Sequence, residues 1–554
     1  MLKLSKVVLF FASLFVFLSA SAQETSVTQM VSQMYDAQSQ LLEQFKSEQL
    51  YLRDKGSMAS IASAVNADMK VNGVTVRDFT ASRNLALIEM RHSKDAAQKA
   101  VAAFFDSRDM SPDDELPFFN DYLKARYSDL TAATTAARIS LDYSASTGLV
   151  NEMPKKVKVT SNSDEPVTGG KLWMFSNGIR VIYKQDKKAR DIAYTLMTRG
   201  GYGSIADLDY GQGAYVGDLL PLFKVKGMNG SAFRNMLALN GISMKADVTL
   251  MDLSISGYAP VNELELLIQA LIAVTSGAKA DPVAYDFFCE QPRRSSKEAI
   301  IDSLFRPTFA YTPYKNEVEL SKDLMQRALD ECFSDRFSNI DDGIIVITSS
   351  QSEVQAQAIL NKYLGAFKTN GQYAIFPHLQ YQQRTGKMTY VTWGKPEVCC
   401  AMSLFLSLSA ESYLTLRLAE IIIQNAVRKA YKGKTVTMAS NFEVYPYERY
   451  TLAVTVEGIS NNSEAQNVWK IIEGCAEEEY DKDDIRSYRS QLIGVISEEM
   501  SDNLAKANFA IGRYCGRKDF LTNYQSRLDK ITPGQVSDIL EAIVEASRVE
   551  YIQR

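Results

Sequence analysis

The stretch from Lys171 to Gly230 limits the possible folds more than any other. KLWMFSNGIRVIYKQDKKARDIAYTLMTRGGYGS, from Lys171 to Ser204, reads as an apolar, β-branched hairpin followed by a glycine-rich turn. Gly213 then opens a helix in GAYVGDLLPLFKVKGMNG, where Pro221 interrupts the pattern. Strands over Gly241–Tyr258 and a striped helix over Val261–Ser276 follow, then helical character over Asp281–Leu304, a strand at Ile344–Thr348 and a helix over Gln351–Phe367. The same order returns later. Val398–Leu408 reads as a strand, Ala410–Ala430 as a helix, Thr435–Val444 and Arg449–Val456 as strands, and Ser463–Tyr480 as a helix. Helical stretches from Lys482 to about Gly516 and over Thr532–Val544 complete it. The simplest account is a duplicated α+β unit of about 180 residues, repeated in element order rather than in residue identity.

A chain of 554 residues needs more than one core, because single cores rarely grow past about 250–300 residues. Residues 24–150 supply an all-helical region. Val27, Met30, Val31, Met34, Leu41, Leu42 and Phe45 keep a 3–4 spacing, and Asn72-Gly73 breaks a second, Ala-rich helix. A third helix is expected over Asp78–Phe105. A fourth begins at Ser111-Pro112-Asp113-Asp114, with an N-cap, a first-turn proline and acids at the positive end of the dipole. His92 is expected on an exposed helix face. Met153–Gly170, polar with Pro and a Gly pair, reads as a linker.

At the N-terminus Lys3 and Lys6 precede the apolar run Val7–Leu18 and the small-residue pattern Ala20-Ser21-Ala22. This is the pattern of a secretory leader cleaved after Ala22, and the run is shorter than a membrane span needs. A secreted, periplasmic protein with no membrane span in the mature chain is therefore expected. A formal charge of −5 gives no reason to expect nucleic acid as a partner. The six cysteines, Cys289, Cys332, Cys399, Cys400, Cys475 and Cys515, form no C-x-x-C, and adjacent Cys399 and Cys400 must point to opposite faces of a strand.

The hairpin, Gly-rich turn and helix resemble the entry to the zinc site of the pitrilysin/insulinase (M16) metallopeptidase family. Asn177-Gly178-Ile179-Arg180-Val181 is similar to that family's Asn-Gly-Leu-Arg-Val strand, and Gly200-Gly201 with Ser204 to its Gly-Ser turn. Asn240-Gly241-Ile242 with Lys245-Ala246 resembles its substrate-binding edge strand. Gly343–Thr348 with Lys362–Phe367 resembles the elements closing its first half. The resemblance covers Lys171–Arg554 and implies two M16-like halves, here 171–385 and 386–554, behind a 1–22 leader, a 23–152 helical region and a 153–170 linker.

In that family the helix carries His-x-x-Glu-His. The two His bind zinc with a downstream Glu, and the motif Glu activates water. The matching positions hold Tyr215, Asp218 and Leu219, with Glu298 nearest the downstream ligand. Leucine ligates nothing, and a phenol must ionise from a pKa near ~10 before it binds zinc well. The whole chain has two histidines, His92 and His378, in unrelated contexts. The family's Arg and Tyr seven residues apart correspond to Arg428 and Thr435, so the phenol that steadies an oxyanion is missing. Arg428 equally serves as a last-turn cation for its helix. No G-x-S-x-G or P-loop is present.

The resemblance thus implies a frame without its metal: no cofactor, and no catalytic residues. The expected role is a non-catalytic subunit or scaffold that pairs with a zinc-competent M16 relative and helps form a peptide-binding chamber. Lys245, Ala246, Arg428 and Thr435 are its candidate substrate contacts. The alternatives are a stand-alone peptide-binding pseudo-peptidase and an active metallopeptidase with atypical ligands.

Overall fold

A computed structural model describes residues 26–554 apart from 109, 131–134, 144–148, 151, 292, 293, 315, 317, 335–339, 370–375, 516 and 517. The expected leader lies outside the described residues. The rest divides into two units. One takes the described residues of Met1–Thr147 with Gly227–Met244 and Tyr258–Glu263; the other takes Gly148–Lys226, Lys245–Gly257 and Leu264–Arg554.

The first unit is helical: Val27–Asp54, Met58–Asn72, Val76–Arg91, Ala96–Asp106, Pro112–Arg126 and Gly230–Leu239. Met34, Leu42, Phe79, Val101, Phe105, Phe119 and Leu123 are buried together as its apolar interior. The single helix expected over Asp78–Phe105 is two, because His92 ends the first and the Asp95 carboxylate caps the second by accepting from Ala97 N–H. His92 is not a bare surface residue. Its ring stacks on Tyr258, 3.6 Å between centroids. Ser111 caps the last N-terminal helix with Pro112 in its first turn, as the sequence suggests. Lys46 and Asp68 form a fully buried pair at 2.7 Å, and Lys46 Nζ also donates to the Ile139 carbonyl. Two buried charges need such satisfaction to be tolerated.

The second unit carries two large sheets. Its first strands are β1 (Val159–Glu165), β2 (Gly170–Phe175), β3 (Arg180–Gln185), β4 (Asp191–Arg199) and the short β5 (Lys224–Val225). Then come β6 (Lys245–Val248), β7 (Asp252–Pro260), the short β8 (Ala278–Lys279) and β9 (Ile344–Ser349). The last five are β10 (Lys387–Thr392), β11 (Glu397–Phe405), β12 (Val436–Glu443), β13 (Arg449–Glu457) and β14 (Ser547–Gln553). Within the stretch read as a linker, β1 pairs antiparallel with β2. The buried Glu165 carboxylate organises the connection, accepting from Val167 N–H, Thr168 N–H and Thr168 Oγ1.

The sheets run β1-β2-β3-β9-β4-β7-β6 and β10-β14-β11-β13-β12. From β3 onward they share one plan. The first strand lies parallel to the last, β3 with β9 and β10 with β14. The last pairs antiparallel with the second, β9 with β4 and β14 with β11. The fourth and third strands complete each sheet, leaving β6 and β12 at equivalent edges. This topological identity is the duplication that element order suggested.

Each sheet also receives a helix from the other half of the chain. Ile300, Ile301 and Phe305, on the Lys297–Phe305 helix, pack with Cys399, Ala401, Val549 and Tyr551 of the second sheet. Ala507, Ala510 and Ile511, on the Asn503–Tyr514 helix, pack with Ile182, Met197, Ile344 and Val346 of the first. The other face of the second sheet buries Val398, Cys400, Met402, Leu452 and Val454 beneath Leu414, Leu418 and Ile422 of the Ala410–Ala430 helix. Cys399 and Cys400 therefore do sit on opposite faces. The helical stretch Asp281–Leu304 is Pro282–Glu290 and Lys297–Phe305, the second freshly capped by Ser296.

Candidate functional site

The site is built on the glycine-rich turn after β4. Gly200 has φ +90°, and its N–H donates to the Met251 carbonyl at the β6–β7 turn. Tyr202 and Gly203 N–H donate to Thr249 and Leu250 carbonyls. A Cβ on Gly201 would lie 1.8 Å from Thr249 O, so only glycine lets these backbones meet. The turn thereby fixes the end of β6.

The next segment is not one helix. Gln212–Tyr215 and Leu220–Leu222 are 3-10 turns flanking a four-residue helix, Val216–Leu219. Tyr215 is 1% exposed and meets Phe288 edge to face; Leu219 is 0% exposed. Leu220, Leu222 and Phe223 are buried with it, and Phe223 packs edge-on to Phe333. Asp218 is exposed. Glu298 is also exposed, in the first turn of the Lys297–Phe305 helix. There it acts electrostatically on Cys399 of the second sheet, whose thiol burial pushes up to about 11. Zinc does not fit these residues. Leu219 offers no donor and Tyr215 is a buried phenol. Among the described residues, no three His, Cys, Asp or Glu gather as a metal site.

Gly217 faces β6. A Cβ there would stand 3.4 Å from Val248 N, so the broken segment passes along the outer side of that strand. The ladder's phase follows from Thr249 N–H donating to Asp252 O at 2.8 Å. Alternation along β6 then turns Lys245 and Asp247 backbone groups toward β7 and those of Ala246 and Val248 outward. Lys245 is exposed and Ala246 half-buried.

Beyond this turn the second unit holds a cavity of ≈ 740 Å³. Thr249–Asp252 border it from the β6–β7 turn, and Ser440–Tyr445 from β12 and its exit. An aromatic wall is set by Tyr413, which stacks on Phe520 at 4.6 Å and tilts against Phe442 at 4.6 Å. Three cations line the cavity, each held by carboxylates. Arg306 bonds Asp302 and Glu443, Arg417 bonds Glu499, and Lys518 bonds Glu448.

Behind the cavity is a closed ionic ring. Arg306 and Arg449, both buried, alternate with Asp302 and Glu443, the Arg449 contacts being 2.6 Å to Asp302 and 2.8 Å to Glu443. Asp302 and Arg306 come from the first half, Glu443 and Arg449 from β12 and β13. Burial alone would raise the Asp302 carboxyl, but Arg306 and Arg449 hold it below the usual carboxylate range.

Arg428 and Thr435 are not part of this cavity's lining. Both are exposed, one in the last turn of the Ala410–Ala430 helix and the other just before β12. Sequence reading passed over Arg306, Arg417, Tyr413 and Glu443. The four-residue spacing of Asp302 and Arg306 was the available signal, since it places opposite charges on one helix face.

No family model and no curated protein matches this sequence. Solved structures do. The ferredoxin protease FusC, in complex with Arabidopsis ferredoxin, matches with TM-score 0.51 and 14% identity over 96% of this chain and 61% of that one. The periplasmic protease PqqL from Escherichia coli matches with TM-score 0.55 and 12% identity over 95% and 70%. The inactive domain of an M16 peptidase from Pseudomonas fluorescens matches with TM-score 0.50 and 12% identity over 69% and 97%. The chain thus spans about three fifths of FusC. At these identities the likeness is one of fold: the chain has the M16 peptidase fold.

Proposed function

We propose that this chain is a non-catalytic M16-type scaffold that pairs with a zinc-competent relative and contributes part of a peptide-binding chamber. The observation that carries this is the pairing of an intact frame with an unfit centre. The Gly200-Gly201 turn and edge strand β6 are present, while Leu219 and Tyr215, which the sequence resemblance matches to the family's ligands, are buried in packing. Peptide would add to the outward groups of Ala246, ahead of the Val248 end of β6 that Gly217 stands against, a mode in which main-chain bonds give affinity and side-chain pockets give selectivity. In this reading Asp218 and Glu298 have no metal-bound water to act on, and Arg428 and Thr435 face solvent or the partner. A secretory leader over Met1–Ala22 and a periplasmic location belong to the same proposal. Among the described residues no helix is long and apolar enough to cross a membrane.

Co-expression with a His-x-x-Glu-His relative tests the proposal. The two chains should co-purify, and the relative's peptide cleavage should rise when this chain is present. Failure of both overturns it. The stand-alone binder is favoured by one feature, the aromatic wall of Tyr413, Phe442 and Phe520 along the cavity; it predicts peptide affinity with no partner at all.

A further inference from the structure

The duplicated topology leaves β12 at the position in the second sheet that β6 holds in the first. Glu457 N–H donates to Thr435 O at 3.0 Å, which sets the ladder's phase. In the unbroken register with β13, backbone groups of Thr437, Ala439, Asn441 and Glu443 face β13. Those of Val436, Met438, Ser440 and Phe442 face outward, and among the described residues no strand pairs with them. Exposed edges are ordinarily blunted with charges, proline or bulges, because they invite another strand. β6 is short and carries Lys245 and Asp247. From Thr435 to Phe442 the second edge has no charge, no proline and no register shift.

The far end of this edge runs into the cavity. Ser440, Asn441 and Phe442 line it beside Tyr413 and Phe520, with the β6–β7 turn on the other side. The cations of the wall are matched by carboxylates, so its aromatic surface stands beside paired rather than bare cations. We infer that β12 is a second strand-docking edge, taking an extended, uncharged polypeptide segment whose large aromatic side chain enters the cavity against Tyr413, Phe442 and Phe520. This deepens the proposed chamber and rests on its peptide-binding role, though not on a zinc-competent partner.

The probe is a fluorescein-labelled octapeptide of alternating Thr and Val with one central Trp. Binding to the full chain is followed by fluorescence anisotropy, and backbone exchange over residues 436–443 by hydrogen exchange. The expected result is binding with at least tenfold slower exchange of the Met438, Ser440 and Phe442 amides. Ser440→Pro removes an outward donor without touching the β13 ladder, and should weaken binding about tenfold. Replacing the peptide's Trp by Lys should weaken it at least as much. Unchanged exchange in bound wild type, or unchanged affinity of a folded Ser440→Pro, overturns the β12 site. If Ala246→Pro abolishes binding in that case, the chamber reading survives on β6 alone. No binding to wild type up to millimolar peptide overturns both. Should Ser440→Pro fail to fold, the wild-type exchange result decides.

Discussion

The two halves of the second unit share a strand plan but differ in the helix that follows the second strand. In the second half it is Ala410–Ala430, 21 residues opened by a Ser409–Ser412 capping box and free of Gly and Pro inside. In the first half the counterpart is a four-residue helix between 3-10 turns, punctuated by Gly213, Gly217 and Pro221. Both bury leucine completely, Leu418 in one and Leu219 in the other. The long helix holds its sheet's core. The broken one holds a neighbour's backbone, with Gly217 set against Val248. The same position in a repeated frame has become a beam in one copy and a spacer beside an edge strand in the other.

This comparison breaks most readily at the ring joining the halves. Arg449→Met should leave Asp302 and Glu443 short of a partner and cost about 3–5 kcal/mol, read as a lowered urea midpoint. A loss below ~1 kcal/mol, the scale of a surface pair, means that the ring is not a buried joint. Next, Leu219→Ala and Leu418→Ala should each cost about 2–5 kcal/mol if both leucines are packing residues. A near-neutral Leu219→Ala would undo the reading of the broken segment as structural.

Acid should loosen the ring. The folded Asp302 carboxyl sits below its usual value, so its contribution is full above the unfolded pKa of about 3.9 and disappears as pH falls through the lower folded value. The stability gap between wild type and Asp302→Asn should therefore hold from pH 7 to about 4 and narrow below that. A gap that narrows between pH 7 and 5 contradicts the assignment. The smallest effect is at Ser409, whose hydroxyl accepts from Ser412 N–H. Ser409→Ala should cost about 0.5–2 kcal/mol, a loss with no equivalent in the broken segment, where no side-chain cap exists among the described residues.

What sequence could show differed between these regions for physical reasons. Ala410–Ala430 was legible to the residue, since period, cap and composition agree. β12 and β13 were legible to within a residue or two because their apolar and β-branched residues sit between clear turns. β10 and β14 were not, since KMTYVT and SRVEYIQ acquire meaning only by pairing with each other, more than 150 residues apart. Helix breaks at His92 and before Ser296 did leave a signal, a polar run at 91–95 and another at 290–298, which was passed over because apolar residues resume beyond each. The buried state of Leu219 followed from the apolar residues Leu220, Leu222 and Phe223 beside it; that of Tyr215 did not, since Gly213, Gly217 and Asp218 lie around it. The cavity did not, because Tyr413, Phe442 and Phe520 come from three separate segments and meet only once folded.

The central claim is that the frame persists without its own chemistry. The direct measurement is cleavage of a fluorogenic peptide by the purified chain in excess zinc, alone and then with a zinc-competent M16 relative. The account predicts no turnover above buffer from this chain alone, and a rate with the relative that rises as the chain is titrated in. Chelator-sensitive turnover by the chain alone, with one zinc bound per molecule, would contradict it.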